Sequence, residues 1–179
     1  MTPERYRIKP LGQQHRRTTF TSGSEELDRY FKHQASQDQR RRIAAVFVAI
    51  DTQAADQVAG FYTLSATAVQ AATLPEEIVR RLPRYPTLPA ILLGRLARDR
   101  RWRGQGVGEL LLADALRRSL RISDQLGALF VVVDAKDDAA RAFYERFLFR
   151  AFPDQPHQLF LPLATLRQAS PSRNDRDGR

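Results

Sequence analysis

The amino-acid sequence predicts a mixed α/β domain built around a single sheet. Three observations lead there. Apolar runs of strand length, rich in β-branched and aromatic residues, recur along the chain and are bounded by Pro, Gly and polar residues. In the second half they alternate with helix-length segments, giving the strand–helix–strand–helix–strand order of layered α/β folds. The chain has 179 residues and 42% of them are apolar, enough for one domain with a sizeable core.

Each element has its own signal. Residues 6–11 form a first strand. Residues 24–42 have helical spacing, with Leu27, Tyr30, Phe31 and Ala35 on one face. Ser24 stands in the cap region, and Glu25 and Glu26 fall in the first turn, where the helix dipole favours anions. Residues 43–51 (IAAVFVAID) and 58–67 (VAGFYTLSAT) read as a hairpin joined by residues 52–57. Pro75 starts a short helix over residues 76–82, and Pro83, Pro86 and Pro89 mark an extended connector. Residues 91–97 (ILLGRLA) form a strand. Residues 108–125 form a helix carrying Leu111, Leu112, Ala115, Leu116 and Leu120. Residues 128–134 (ALFVVVD) are a buried strand, and residues 137–147 a helix with Ala140, Phe143, Tyr144 and Phe147 on one side. Residues 159–163 (LFLPL) are a last strand, and Pro162 places it at a sheet edge or at the strand's end. Residues 1–167 thus make up the domain, and the polar residues 168–179 read as a disordered tail.

Composition narrows the function classes. There is no cysteine, which excludes a disulfide framework, a thiolate zinc site and a cysteine nucleophile. A reducing cytoplasm is the expected compartment. The first ten residues hold no apolar run, so they do not read as a signal peptide. The apolar stretches are too short to cross a bilayer. The formal net charge is +9, and Lys9, Lys32 and Lys136 are the lysines. A basic balance points to a polyanionic partner such as nucleic acid or an acidic protein. An arginine-biased composition on a solvated face would give the same number.

The chemistry-bearing motif lies between the strand 91–97 and the helix that follows it. Gly104, Gly106 and Gly108 alternate there. Glycine admits positive φ and close approach of an anion, and the free N–H groups of a helix start point at that anion. A nucleotide-binding P-loop would end in Gly-Lys-Ser/Thr, but Gly108 is followed by Glu109 and Leu110. A dinucleotide fingerprint would carry Gly or Ala at position 109, which is Glu. The spacing Arg101-x-x-Gly104-x-Gly106 resembles instead the diphosphate turn of the Gcn5-related N-acetyltransferases, the GNAT superfamily. The segment 134–149 (DAKDDAARAFYERFLF) is similar to a later motif of that superfamily.

This resemblance implies a GNAT fold: a single mixed, mostly antiparallel sheet, splayed between two central parallel strands and flanked by helices. The strand ending near Asp134 would part from the strand ending near Ala97, and acetyl-CoA would occupy the gap without a metal. Backbone groups of Leu96, Ala97 and Arg98 would hold the pantetheine arm. Arg101, Arg103, Gly104, Gln105, Gly106, Val107, Gly108 and Glu109 would surround the diphosphate. Tyr144 would lie beside the thioester sulfur. A phenol with a pKa near 10 can protonate the thiolate that leaves a thioester. Spacing alone reads Tyr144 as an aromatic on an apolar helix face. Two positions depart from the family pattern: Leu148, where glycine is usual, and Asp137, where many relatives carry Asn. Asp99, Asp134 and Glu109 are candidates for a general base, and each also reads as an ordinary turn, strand-end or first-turn carboxylate.

The likeness extends over nearly the whole chain to the GNAT toxins of bacterial toxin–antitoxin modules. It is carried by residues 20–31 (FTSGSEELDRYF), 34–38 (QASQD), 60–65 (GFYTLS), 82–86 (LPRYP), 93–97 (LGRLA) and 159–163 (LFLPL). Thr21-Ser22 stands where an acidic residue and Cys are usual, and Ser24 where Asn is usual. The resemblance implies acetylation of the α-amine of aminoacyl-tRNA, a block of translation, a ribbon–helix–helix antitoxin and a homodimer. Arg40, Arg41 and Arg42 are candidates for tRNA phosphate contacts. Two other functions remain open at this point: acetylation of a small amine or protein N-terminus, and non-catalytic binding of coenzyme A.

Overall fold

Strands and helices follow the hydrophobic pattern, with differences where long-range contacts decide. In the computed structural model, which describes residues 4–169, the order is β1 (Tyr6–Pro10), α1 (Glu25–His33), α2 (Ala35–Arg40), β2 (Ala45–Asp51), β3 (Gln57–Gln70), α3 (Glu76–Val79), β4 (Thr87–Arg98), α4 (Val107–Leu126), β5 (Phe130–Asp134), α5 (Asp138–Glu145), β6 (Arg150–Phe152), β7 (Gln155–Pro162) and α6 (Leu163–Ala169). The strands form one seven-stranded sheet in the order β1-β2-β3-β4-β5-β7-β6. β1 with β2, β2 with β3, β5 with β7 and β6 with β7 are antiparallel. The sheet holds one parallel pair. α4 is the crossover between β4 and β5, the kind of connection parallel neighbours require. No helix among the described residues is long and apolar enough to cross a membrane.

The chain divides into two compact units. The first comprises Met1–Ser65 and Leu92–Ala115, the second Ala66–Ile91 and Leu116–Arg179. In the first, alternate residues of β2 and β3 face α1. Phe31 stacks on Phe61 at 4.2 Å, and Phe20 meets Phe31 edge-on at 4.8 Å. Val46, Val48, Ile50, Val58 and Ala97 belong to the same cluster. Burying each such large apolar side chain stabilises the fold by about 1.5–3 kcal/mol. The other residue parity of β3 faces α4. A Cβ on Gly60 would stand 2.7 Å from Leu111 and 2.8 Å from the Ala97 carbonyl, so glycine is what lets the helix approach. The Tyr62 hydroxyl donates to Asp114 of α4 at 2.6 Å.

In the second unit, β5 lies beside β7 with Val132 opposite Phe160. Phe160 meets Phe130 at 5.9 Å and Phe152 of β6 at 5.0 Å. Helix α5 begins at Asp137, whose carboxylate accepts from the Ala140 N–H at 2.8 Å.

The helix expected over residues 24–42 is two helices. Ser24 does cap α1, accepting from the Leu27 N–H, but Gln34 leaves helical geometry at φ −121°. The bend returns buried Asp38 to the Tyr30 hydroxyl, which donates to it at 2.9 Å. The helix expected over 76–82 is a single turn, and β4 starts inside the proline connector. The hairpin strand β6 and helix α6 had no separate signal. Pro162 ends β7 and does not make it an edge strand. α6 takes in Gln168 and Ala169, and the rest of the segment read as a tail lies outside the described residues.

Candidate active site

The turn between β4 and α4 is held from within. Asp99 caps a short 3-10 turn over Arg100–Trp102. Its side chain is 0% exposed and accepts from the Thr21 N–H at 3.1 Å, the Arg101 N–H at 2.9 Å, and Arg101 Nε and Nη2 at 3.0 and 2.8 Å. Burial alone would raise the Asp99 pKa, but these hydrogen bonds outweigh it and hold the carboxyl below its ordinary value. The Asp99 N–H donates to the Ala59 carbonyl at 2.9 Å, which ties the turn to β3.

The next residues are anchored just as firmly. Trp102 is buried, and its Nε1 donates to Asp51 at the end of β2 at 2.6 Å. Asp51 is fully buried and also accepts from Arg5 Nη2 at 2.9 Å. The Arg5 hydrogen bond is the main reason its pKa is lowered. Gln105 Oε1 accepts from the Tyr6 hydroxyl at 3.1 Å. Arg101 Nη1 reaches Gln57 at 2.7 Å, and its guanidinium lies over the Trp102 ring at 4.8 Å.

On this frame the backbone opens. Gly104 and Gly106 adopt φ of +73° and +76°, and a Cβ on either would meet no heavy atom within 4 Å. Left-handed backbone is what requires glycine here, not crowding by the protein. The Leu110 N–H donates to the Gly106 carbonyl at 3.0 Å, closing the first turn of α4. The N–H groups of Val107 and Gly108 come before it, at the positive end of a 20-residue helix dipole. Gly108 is already helical. The arrangement can hold an anion with several charges, such as a diphosphate.

The remaining sequence-predicted residues are placed as follows. Leu96, Ala97 and Arg98 close β4. Arg103 and Gln105 are exposed in the turn, Val107 is buried, and Glu109 is exposed in the first turn of α4. Arg40 ends α2, and Arg41 and Arg42 follow it; all three are exposed and pair with no carboxylate among the described residues. Asp134 is exposed at the end of β5. Asp99 is enclosed by donors and depressed in pKa, which leaves it no capacity as a general base.

Tyr144 lies on α5 and is 7% exposed. Its ring meets Phe143 and Phe149 at 5.3 and 5.4 Å. Burial pushes the phenol pKa up. Its hydroxyl meets no protein partner among the described residues, yet no buried side-chain polar atom lacks a partner, so that oxygen keeps contact with solvent. The helix end that carries it is fixed by two bonds. The Phe149 N–H donates to the Tyr144 carbonyl at 3.3 Å and the Leu148 N–H to the Glu145 carbonyl at 3.2 Å. This is the Schellman pattern, and Leu148, at φ +71°, holds the place glycine favours.

Asp51, Tyr6 and Gln57 carry no local signature as supports, because their partners lie 44 to 99 positions away along the chain. Trp102 did carry a signal: it is the one tryptophan, set in a run of Arg and Gly.

A family profile described as "Acetyltransferase (GNAT) domain" matches residues 42–151. The chain belongs to this family, whose members are acetyl-CoA-dependent N-acetyltransferases. More particularly, it is similar to a Mycobacterium tuberculosis protein named tRNA-acetylating toxin, with 37% identity over 84% of this chain and 87% of that one. It also resembles the solved structure of AtaT complexed with acetyl-methionyl-tRNAfMet, at TM-score 0.85 and 26% identity over 92% of this chain and 98% of that one. A structure of AtaTR bound with acetyl-CoA aligns at TM-score 0.78 and 26% identity, over 92% of this chain and 97% of the other.

Proposed function

We propose that the chain transfers the acetyl group of acetyl-CoA to the free α-amine of aminoacyl-tRNA and thereby blocks translation. The observation that carries the acceptor is the likeness, over most of the chain, to a protein named for that activity. The net charge of +9 supports a phosphate-rich partner. Arg40, Arg41 and Arg42 are the cations assigned to tRNA phosphates. An acetylated α-amine has no basic lone pair left to attack the next ester, so the modified tRNA cannot extend a peptide.

In this reading the N–H groups at Gly106, Val107 and Gly108 bind the diphosphate of acetyl-CoA, and the ends of β4 at Leu96, Ala97 and Arg98 hold the pantetheine arm. The network around Asp99 and Asp51 keeps that backbone in place before the ligand arrives. The amine nitrogen attacks the thioester carbonyl carbon, a C–N bond forms and the C–S bond breaks. The departing sulfur takes the phenolic proton of Tyr144, and the new amide gives its surplus proton to water. Solvent then returns a proton to the phenoxide. Burial raises the phenol pKa, so Tyr144 is protonated in the neutral range, and it gives up its proton only as the charge on the leaving sulfur develops. An α-amine titrates near neutrality, at about 7.7–8.0, so water suffices as the base. A ribbon–helix–helix antitoxin and a second copy of the chain are the protein partners proposed with this function.

Incubation with acetyl-CoA and bulk charged tRNA, followed by mass spectrometry of the amino acids released from the tRNA, tests the acceptor. N-acetylated amino acids are expected. Their absence, with acetyl transfer to free small amines instead, would replace tRNA by a small acceptor.

A further inference from the structure

Four large apolar side chains stand well exposed among the described residues: Ile43, Tyr85, Leu126 and Leu148. Tyr85 is the aromatic one, at 65% exposure. It sits between α3 and β4, flanked by Pro83, Arg84 and Pro86. Its N–H donates to the Pro83 carbonyl at 2.8 Å, closing a tight turn. Two prolines with fixed φ make this a stiff presentation, so the ring loses little backbone freedom when something covers it.

The charges beside the ring are uneven. The carboxylates of α3 are taken up: Glu76 by Arg80 at 2.8 Å and Glu77 by Arg150 at 2.7 Å. Arg81 and Arg84 are exposed and meet no carboxylate among the described residues. An open phenol face thus lies in sequence between surplus planar cations. A folded core gains nothing from this arrangement. Unpaired nucleotides do: their bases stack on aromatic and guanidinium planes, and their phosphates pair with the charge. An acidic peptide would satisfy the arginines but has no need of the ring face.

We propose that Tyr85, with Arg81 and Arg84, forms a stacking platform for single-stranded RNA, and that its occupant is the unpaired 3′ end of the aminoacyl-tRNA. This rests on the tRNA reading of the acceptor. The platform contributes to acceptor binding and leaves acetyl-CoA binding alone.

The test is steady-state acetylation of aminoacyl-tRNA by the full chain. Tyr85→Ala is expected to raise the KM for aminoacyl-tRNA about tenfold, with the KM for acetyl-CoA and the thermal midpoint unchanged. Tyr85→Trp keeps a stacking face and is expected to restore the KM. Arg84→Ala is expected to reduce the slope of log affinity against log salt by about one. An unchanged KM in Tyr85→Ala, or failure of Tyr85→Trp to restore it, overturns the platform. So does a Tyr85→Ala variant whose one loss is affinity for a polyglutamate peptide, which would make the patch a protein-docking surface. If the wild-type chain acetylates no aminoacyl-tRNA, the acceptor reading fails. Anisotropy with labelled uncharged tRNA then reads the platform separately, and equal Kd for wild type and Tyr85→Ala overturns it.

Discussion

At the glycine turn the polar side chains are answered by other protein groups: Asp99 by Arg101 and Thr21, Trp102 by Asp51, Gln105 by Tyr6. At the end of α5 the Tyr144 ring is enclosed by aromatics, while its hydroxyl has no protein partner among the described residues. The proposed function asks different things of the two regions. Binding a diphosphate through backbone N–H groups demands a fixed shape, and a satisfied polar network supplies it. Giving up a proton demands a hydroxyl that is positioned but not spent on a structural bond.

The largest effect should come from the uncommitted group. Tyr144→Phe removes one oxygen from a ring whose packing is unchanged, so the fold and the Kd for acetyl-CoA should stay as they are. Turnover should fall by about 10²-fold or more, the contribution of a positioned general acid. Single-turnover kinetics beside calorimetric binding separates the two. Turnover near the wild-type value would take Tyr144 out of the chemistry and leave the contrast between the regions without a function.

The turn should respond in stability first. Asp99→Asn keeps the shape but removes the charge that the Arg101 guanidinium and two backbone N–H donors address, and should cost about 2 kcal/mol. The effect has a pH signature. The folded-state pKa of Asp99 lies below its ordinary 3.8, so the unfolded chain binds the proton first as pH falls. The stabilisation is complete above the unfolded value and is lost as pH drops through the folded one. Denaturant midpoints of wild type and Asp99→Asn should therefore differ at pH 7 and converge in the acid range below about pH 4. Asp51, also depressed in pKa by its partner Arg5, adds acid sensitivity to both proteins and does not alter their difference.

Next comes the backbone cradle itself. Gly106→Ala introduces no clash, because a Cβ there meets nothing. It does place an L-residue at φ +76°, at about 1–2 kcal/mol. The affinity for acetyl-CoA should fall about tenfold, with kcat close to wild type. A fall in kcat alone would mean that the cradle orients the acetyl group and does not hold the diphosphate.

How much of this was legible in the sequence differs between the regions as well. The helix α4, the strand β5 and the glycine turn between strand and helix announce themselves through local pattern, so that geometry is legible in the sequence. The alternation of three glycines overstated it: Gly104 and Gly106 are left-handed, while Gly108 is helical. What could not be read were the supports. Tyr6 and Gln105 are 99 positions apart, and Asp51 and Trp102 are 51 apart. No periodicity encodes such pairs. The break at Gln34 was hidden for a related reason. It has no Pro or Gly to mark it, and it serves the meeting of Asp38 with Tyr30, which only the folded chain brings about. The Tyr30 phenol, buried and bonded to Asp38, is pushed up to about 12 and is structural.

Leu148 lets the comparison be sharpened at its smallest scale. The sequence showed a leucine where the family favours glycine, and the structure keeps the left-handed backbone that glycine would take, at φ +71°. The side chain is well exposed, so little burial offsets the strain. What holds the position is the pair of Schellman bonds and the Phe149–Tyr144 ring contact. Leu148→Gly should relieve about 1–2 kcal/mol of left-handed strain, against about 0.5–1 kcal/mol of added chain entropy in the unfolded state. The net gain should be about 0.5–1 kcal/mol, a rise of about 1–4 °C in thermal midpoint for a chain of this size. Turnover should not change, because the Tyr144 carbonyl keeps its bond and the ring its neighbours. If turnover drops while stability rises, the strained leucine is holding the Tyr144 hydroxyl in place, and the end of α5 is as tightly supported as the glycine turn, through backbone strain in place of a polar network.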